Sequence, residues 1–192
     1  MRPYRRLTRW QQHDYRRGGL YFVTICTAER RTVFGDVVWG RMRSSAVGQI
    51  ANREWVEAAL RRPEVVGDVF VVMPNHVHLL FGIVDAGSRT DADMTSHAPT
   101  AGSDAEVGGE KRRAFGKPQA KSVSMIVGAH KAAVTRSARR LGMWPDGPLW
   151  QTRFHDRVVR SDLEAGHIRR YIENNPAQWA RDRFNADASL RP

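Results

Sequence analysis

The stretch VVGDVFVVMPNHVHLLFGIV, residues 65–84, decides the fold. Its first half, residues 65–73, is rich in β-branched residues, and its second half, residues 76–84, is another apolar run, so each half predicts a strand. The Pro-Asn pair at 74–75 between them predicts a turn. The stretch therefore predicts an antiparallel hairpin.

Strands and helices alternate on both sides of this hairpin. Residues 19–27 (GLYFVTICT) and 149–160 (LWQTRFHDRVVR) predict two more strands. Residues 45–61 and 122–141 place their apolar side chains at helical spacing, which predicts two amphipathic helices.

A third helix follows the last predicted strand. Ser161-Asp-Leu-Glu164 is a capping box that opens it, and we expect it to end near Asn174 because Pro176 disfavours helical geometry in the preceding residue. The resulting order, β-α-β-β-α-β-α, predicts an α+β protein. Its core would be an antiparallel, ferredoxin-like sheet with the helices packed on one face.

The charge of the chain predicts a polyanionic partner. Its 192 residues carry 31 basic and 20 acidic side chains, a net charge of +11, and 27 of the basic residues are arginine. Arginine suits planar contact with phosphate, so nucleic acid is the simplest partner, although a general arginine bias of the proteome would give the same composition.

Several classes of protein are excluded by composition. The single cysteine, Cys26, cannot form a disulfide framework or a cysteine-rich zinc site. The apolar run 20–26 is too short to span a bilayer, so we expect no membrane association and a cytoplasmic location.

The organisation of the chain follows from local composition. Residues 86–110 hold five acids and one arginine among mostly small residues, which predicts a flexible insertion. We therefore expect a basic arm at 1–17, a single domain at 18–183 that this insertion interrupts, and a tail at 184–192.

Two clusters of polar side chains could carry chemistry. His76 and His78 are two apart on a predicted strand, so both imidazoles face one side and could hold a metal ion or simply hydrogen-bond at the sheet surface. Tyr171 and Asn175 are four apart on the last helix and share a face. They could be a nucleophile and a metal ligand, or a core tyrosine and part of a helix stop.

Taken together, these motifs give the chain a family resemblance. MPNHVHLL, the final YIENNP, the opening DYRRGGLYFVTICTAERRTVFG and the segment LWQTRFHDRVVRSDLEAGHIRR resemble the REP-associated tyrosine transposases. These belong to the single-tyrosine HUH superfamily (His, hydrophobic, His) of single-strand DNA transposases. The resemblance spans residues 6–183 except for 86–110.

The resemblance implies a fold, an activity and a set of functional residues. Tyr171 matches the catalytic tyrosine, and His76, His78 and Asn175 match the ligands of a divalent metal, Mg²⁺ or Mn²⁺. Related insertion-sequence transposases usually have Gln where this chain has Asn175. His155, in FHDR, matches a recurrent family position that could support the metal ligands.

The implied reaction is cleavage and rejoining of single-stranded DNA. Tyr171 would attack the scissile phosphate of a palindromic hairpin substrate and form a 5′-phosphotyrosine with a free 3′-OH. Single-stranded or hairpin DNA would be the partner of a monomer or homodimer. Expected DNA contacts are Arg5, Arg6, Arg112, Arg113, Lys117, Lys121, Lys131 and Arg153, with Trp10, Phe115, Trp144 or Trp150 stacking on bases.

Other functions remain open at the level of sequence. An autonomous insertion-sequence transposase or a rolling-circle nickase would use the same histidines and tyrosine. A domesticated DNA-binding protein would keep the fold without cutting, and a metal-dependent hydrolase would not need Tyr171.

Overall fold

The computed structural model describes residues 19–84, 122–145 and 147–185. The predicted arm at 1–17, the predicted insertion at 86–110 and most of the predicted tail lie outside these residues. The elements in chain order are β1 (Gly19–Cys26), β2 (Gly35–Val38), β3 (Arg41–Ser44), α1 (Ala46–Arg61), β4 (Val65–Met73), β5 (His76–Ile83), α2 (Val123–Arg140), β6 (His155–Val159) and α3 (Asp162–Gln178). No helix among the described residues is long and apolar enough to cross a membrane.

Four strands form one sheet in the order β4-β5-β1-β6. Every neighbouring pair is antiparallel, and β1 pairs with β5 along its whole length, from Gly19 opposite Ile83 to Cys26 opposite His76. In this order β5 separates β1 from β4, which are joined through α1, and β1 separates β5 from β6, which are joined through α2. This split βαβ arrangement confirms the predicted ferredoxin-like sheet.

Helices cover both faces of the sheet, so the expectation of helices on one face is wrong. Helices α1 and α2 pack on one face through Ile50, Trp55 and Ile126, which join Val23 and Leu79 in the main core. On the opposite face, a smaller cluster holds α3 residues such as Ile168 and Ile172 against Leu80. Strand β5 is therefore buried on both faces: Val77, Leu79 and Phe81 face α1 and α2, and Leu80 faces α3.

The sequence analysis also missed the β2–β3 hairpin. This separate two-stranded sheet turns at Trp39 and Gly40, which both have positive φ, at 54° and 70°. Successive positive φ values are typical of the tight turns that match the twist of paired strands. Trp39 is 94% exposed at the tip of the hairpin.

Two predicted boundaries are wrong. Helix α3 continues past Asn174 and through Pro176 to Gln178. Proline removes only one backbone donor, and the buried Asn175 is held by its side-chain bond to Asp182, so tertiary contacts outweigh the local preference. The last strand spans only His155–Val159 of the predicted 149–160. Trp150 forms one isolated antiparallel bridge with Thr27, and the next two carbonyl oxygens, of Gln151 and Thr152, accept hydrogen bonds from Lys131 Nζ on α2.

Candidate active site

The two histidines of β5 lie with their rings against each other. His76 and His78 are both fully buried, and their Nε2 atoms are 3.1 Å apart. Two imidazoles this close need either one shared proton or one shared cation between their nitrogens. The sheet therefore brings one ring nitrogen of each histidine to the same point, as the sequence spacing predicts.

Asn75 determines which nitrogen of His76 is free. Its Nδ2 donates to the carbonyl oxygens of Phe184, at 2.7 Å, and Arg30, at 3.1 Å, so its Oδ1 is the atom that faces His76. That oxygen can only accept, so His76 Nδ1, 2.9 Å away, must carry the proton. The lone pair of neutral His76 is therefore on Nε2, which points towards His78.

Thr24 holds the second imidazole from the neighbouring strand. It is paired with His78 in the β1–β5 register, and its Oγ1 is 2.8 Å from His78 Nδ1. A hydroxyl can donate or accept, so His78 can carry its proton on either nitrogen. Proton transfer from Nε2 to Nδ1 would leave both Nε2 lone pairs available to one cation, with each outer nitrogen hydrogen-bonded.

Burial keeps both imidazoles neutral. It lowers the pKa of His76 to about 3, with Arg183 and Arg30 adding to the shift and the Asn175 amide opposing it. Burial, followed by the neighbouring His76, also holds the pKa of His78 well below its usual value. Neutral imidazole is the form that binds metal ions, so the site presents that form at physiological pH.

Tyr171 lies at the edge of this pair. Its hydroxyl oxygen is 3.2 Å from His78 Nε2, and its ring meets the ring of Phe22 edge-on at 6.1 Å. The side chain is 37% exposed, so the oxygen is next to the histidines yet open to a substrate. Burial raises the pKa of Tyr171, with Asp182 adding and Arg183 opposing, so the phenol is protonated at rest.

Asn175 completes a donor set that fits a divalent cation. It lies one turn after Tyr171 on α3, and its Nδ2 donates to Asp182 Oδ2 at 2.9 Å. Its Oδ1 is buried and has no hydrogen-bond partner, which costs free energy unless something binds it. No three His, Cys, Asp or Glu side chains of the described residues are grouped so that they could hold a metal ion, so a metal at this point would take the amide oxygen as its third protein ligand. Two imidazole nitrogens and this oxygen fit Mn²⁺ or Mg²⁺.

The residues expected to contact DNA are more scattered. Lys131 is half-buried, and its Nζ donates to the carbonyl oxygens of Gln151 and Thr152. Arg153 and His155 are exposed. Because His155 is opposite Thr24 on β6, its side chain is on the same face of the sheet as His76 and His78 but is one strand further away than Thr24. Arg5, Arg6, Arg112, Arg113, Lys117, Lys121, Trp10 and Phe115 lie outside the described residues.

The aromatic residues differ from the expectation. Trp150 is buried, and Trp144 is half-buried with a buried Nε1 that has no hydrogen-bond partner. These two are therefore poorly placed to stack on bases, whereas Trp39 is nearly fully exposed.

Sequence reasoning missed the residues that hold the site in shape. Asn75 directly precedes the first histidine, and its sequence context indicates only a turn. Thr24 and Asp182 are far from the histidines in sequence, so only the strand register and the chain after α3 bring them there.

Comparisons with known proteins support the fold. No protein-family profile matches the chain. An uncharacterized protein from Haemophilus influenzae is 28% identical over 187 residues, which cover 96% of this chain and 94% of that protein. A solved structure of a REP-associated tyrosine transposase bound to a REP hairpin superposes with a TM-score of 0.56 and 16% identity, covering 89% of this chain and 74% of the other. The chain has the fold of that transposase.

Proposed function

We propose that this chain is a REP-associated tyrosine transposase of the single-tyrosine HUH superfamily. It would act as a metal-dependent endonuclease and strand transferase on single-stranded, hairpin-forming DNA. One observation carries the proposal: the Tyr171 hydroxyl is 3.2 Å from His78 Nε2, and that nitrogen is 3.1 Å from His76 Nε2. The shared fold with a transposase bound to a REP hairpin supports it.

Three side chains of the site would hold the cation. His76 and His78 would each offer Nε2, and Asn175 would offer the oxygen that has no hydrogen-bond partner. When bound, Mg²⁺ or Mn²⁺ would polarise the scissile phosphate and stabilise the charge that develops on it. Asn75 and Thr24 hold the outer nitrogens of the two rings, so little reorganisation is needed on binding.

Tyr171 would be the nucleophile. Its oxygen forms a bond to phosphorus while the bond from phosphorus to the 3′-oxygen breaks, which leaves a 5′-phosphotyrosine and a 3′-OH. The phenolic proton leaves through the exposed side of Tyr171, and the departing 3′-oxygen takes up a proton. Attack of a 3′-OH on the phosphotyrosine reverses the step and rejoins strands without nucleotide hydrolysis.

The resting site does not favour the phenolate. Burial raises the pKa of Tyr171, so the hydroxyl becomes a good nucleophile only beside added positive charge. This requirement would couple cleavage to the binding of a cation at the histidine site.

Covalent capture of DNA tests the proposal. Hairpin strands labelled at the 5′ or 3′ end are incubated with protein and Mn²⁺ and separated on a denaturing gel, beside fully paired duplex of the same sequence. We expect cleavage of the hairpin strand alone, with the label from the 3′ side of the cut migrating with the protein. Tyr171→Phe, which removes one oxygen and keeps the ring, should bind DNA without cutting. Equal cutting of duplex, or full cutting by Tyr171→Phe, would contradict the proposal.

A further inference from the structure

Part of the β1–β6 half of the sheet face that carries the histidines is open. Helix α3 packs mainly over β4 and β5 and also reaches Phe22 of β1 and Val159 of β6, but no α3 residue lines the cleft beside Thr24 and His155. On this half, Thr24 is opposite His155 and Phe22 is opposite Arg157. Directly opposed residues of antiparallel strands point to the same side, and Thr24 reaches His78, so all four side chains face the active site. They line a cleft of about 360 Å³.

Two arginines form the wall of the cleft next to the metal histidines. The guanidinium carbons of Arg30 and Arg183 lie 5.0 and 4.7 Å from the centre of the Phe184 ring. The same ring lies 4.5 Å from the ring of His76, and Arg30 Nη1 donates to the Arg183 carbonyl at 3.2 Å. The Phe184 ring thus holds the guanidinium groups of Arg30 and Arg183 close to the two histidines, His76 and His78.

The backbone that carries Arg30 is strained. Glu29 and Arg30 both have φ of 55°, a left-handed conformation that is unfavourable for residues with a side chain. The Asn75 side chain donates to the Arg30 carbonyl, and Thr27 Oγ1 donates to the Arg31 carbonyl at 2.8 Å. Strain that the surroundings maintain in this way is typical of functional sites.

We propose that this cleft binds one nucleotide of the DNA strand next to the scissile phosphate. The phosphate would lie between Arg30 and Arg183, and the base would lie against Phe22, His155 and Arg157. This inference rests on the proposed function and adds to it a protein pocket for one unpaired nucleotide.

The chemistry of the lining favours a nucleotide over other ligands. Three arginines and one acidic residue, Asp156, line the cleft. Arg157 is paired with Glu164 on α3, so Arg30 and Arg183 supply the positive charge that attracts an anion. Guanidinium groups bind phosphate through paired donors and also stack on bases, as aromatic rings do. The volume suits a ligand of this size.

The position of the cleft identifies which nucleotide it would take. Its floor includes Thr24, which contacts His78, and Phe22, which contacts Tyr171. A nucleotide bound there would adjoin the phosphate that Tyr171 attacks. Arg30 and Arg183 would therefore be positioning residues for the reaction as well as binding residues.

Abasic scanning of the DNA tests the pocket. The Tyr171→Phe protein, which should not cut, is titrated with hairpin oligonucleotides that carry a short single-stranded extension with one base removed at each position in turn. The stem fixes the register of the extension. We expect removal of one particular base to weaken binding about 5- to 150-fold, the range for loss of one stacked base.

A second substitution assigns that loss to the cleft. Adding Arg183→Ala should weaken binding and remove most of the difference between the intact and the abasic oligonucleotide. Arg61→Ala is the matched control, since Arg61 is an exposed arginine on α1 that pairs with Glu57 and lies away from the cleft. Uniform binding along the scan, or an Arg183→Ala protein that behaves like the control, would overturn the inference. Because no cleavage is measured, these outcomes are independent of whether Tyr171 is the nucleophile.

Discussion

Replacing Asn75 with alanine should weaken both the fold and the metal site. The buried Asn75 side chain makes three hydrogen bonds, to the Arg30 and Phe184 carbonyls and to His76 Nδ1. At about 1 kcal/mol for each bond, the free energy of unfolding should fall by about 3 kcal/mol. For a chain of this size, that loss lowers the melting temperature by about 6–12 °C, measured by circular dichroism. Loss of the His76 partner should also weaken Mn²⁺ binding about 10- to 100-fold, measured from the electron paramagnetic resonance of free Mn²⁺.

Asn75→Asp separates these two effects. Aspartate still accepts from His76 Nδ1 but cannot donate to the two carbonyl oxygens, so it should lower the melting temperature while keeping Mn²⁺ affinity. If Asn75→Ala melts like the unsubstituted protein, or if both variants lose Mn²⁺ equally, the role assigned to Asn75 is wrong.

Three further predictions follow from individual residues. Trp39→Asn should raise the melting temperature by about 2–4 °C, because asparagine tolerates positive φ and the Trp39 side chain is almost fully exposed. A melting temperature below that of the unsubstituted protein would show that the indole packs against the fold. Burial lowers the pKa of His130 to about 4, so the unfolded chain takes up a proton near pH 6.5 before the folded chain does, and stability should fall by about 3 kcal/mol between those pH values. In urea unfolding, His130→Leu should remove this contribution, while the contributions of His76 and His78, whose pKa values burial also lowers, remain. An unchanged dependence of stability on pH would contradict the prediction. Asn175→Ala should weaken Mn²⁺ binding less than His76→Ala does, and Asn175→Gln should keep part of the activity. If Asn175→Ala leaves the Mn²⁺ affinity unchanged, Asn175 is not a metal ligand.

Local patterns were enough to predict the fold and the proximity of His76, His78 and Tyr171. The β4–β5 hairpin, α1 and α2 follow from apolar periodicity that a single segment carries. His76 and His78 lie together because side chains alternate along a strand, and Tyr171 reaches them because α3 packs across the same face.

The elements that sequence reasoning missed depend on contacts between distant segments. Strands β2 and β3 have four residues each and are half-exposed, so they show no apolar alternation. Helix α3 continues through Pro176 because Asn175 is held by Asp182, seven residues later. Arg30 and Arg183 are 153 positions apart and meet only around Phe184. No local pattern in either segment signals that meeting.

The central claim is that Tyr171 becomes covalently attached to DNA. The most direct measurement is mass spectrometry of protein that has reacted with hairpin DNA and Mn²⁺, after nuclease and trypsin digestion. Cleavage after Arg170 and Arg181 isolates Tyr171 in the peptide YIENNPAQWAR, residues 171–181. We predict that this peptide carries a 5′-linked nucleotide on its tyrosine and that omission of Mn²⁺ abolishes it. Cut DNA with an unmodified peptide, or a nucleotide on another residue, would contradict the claim.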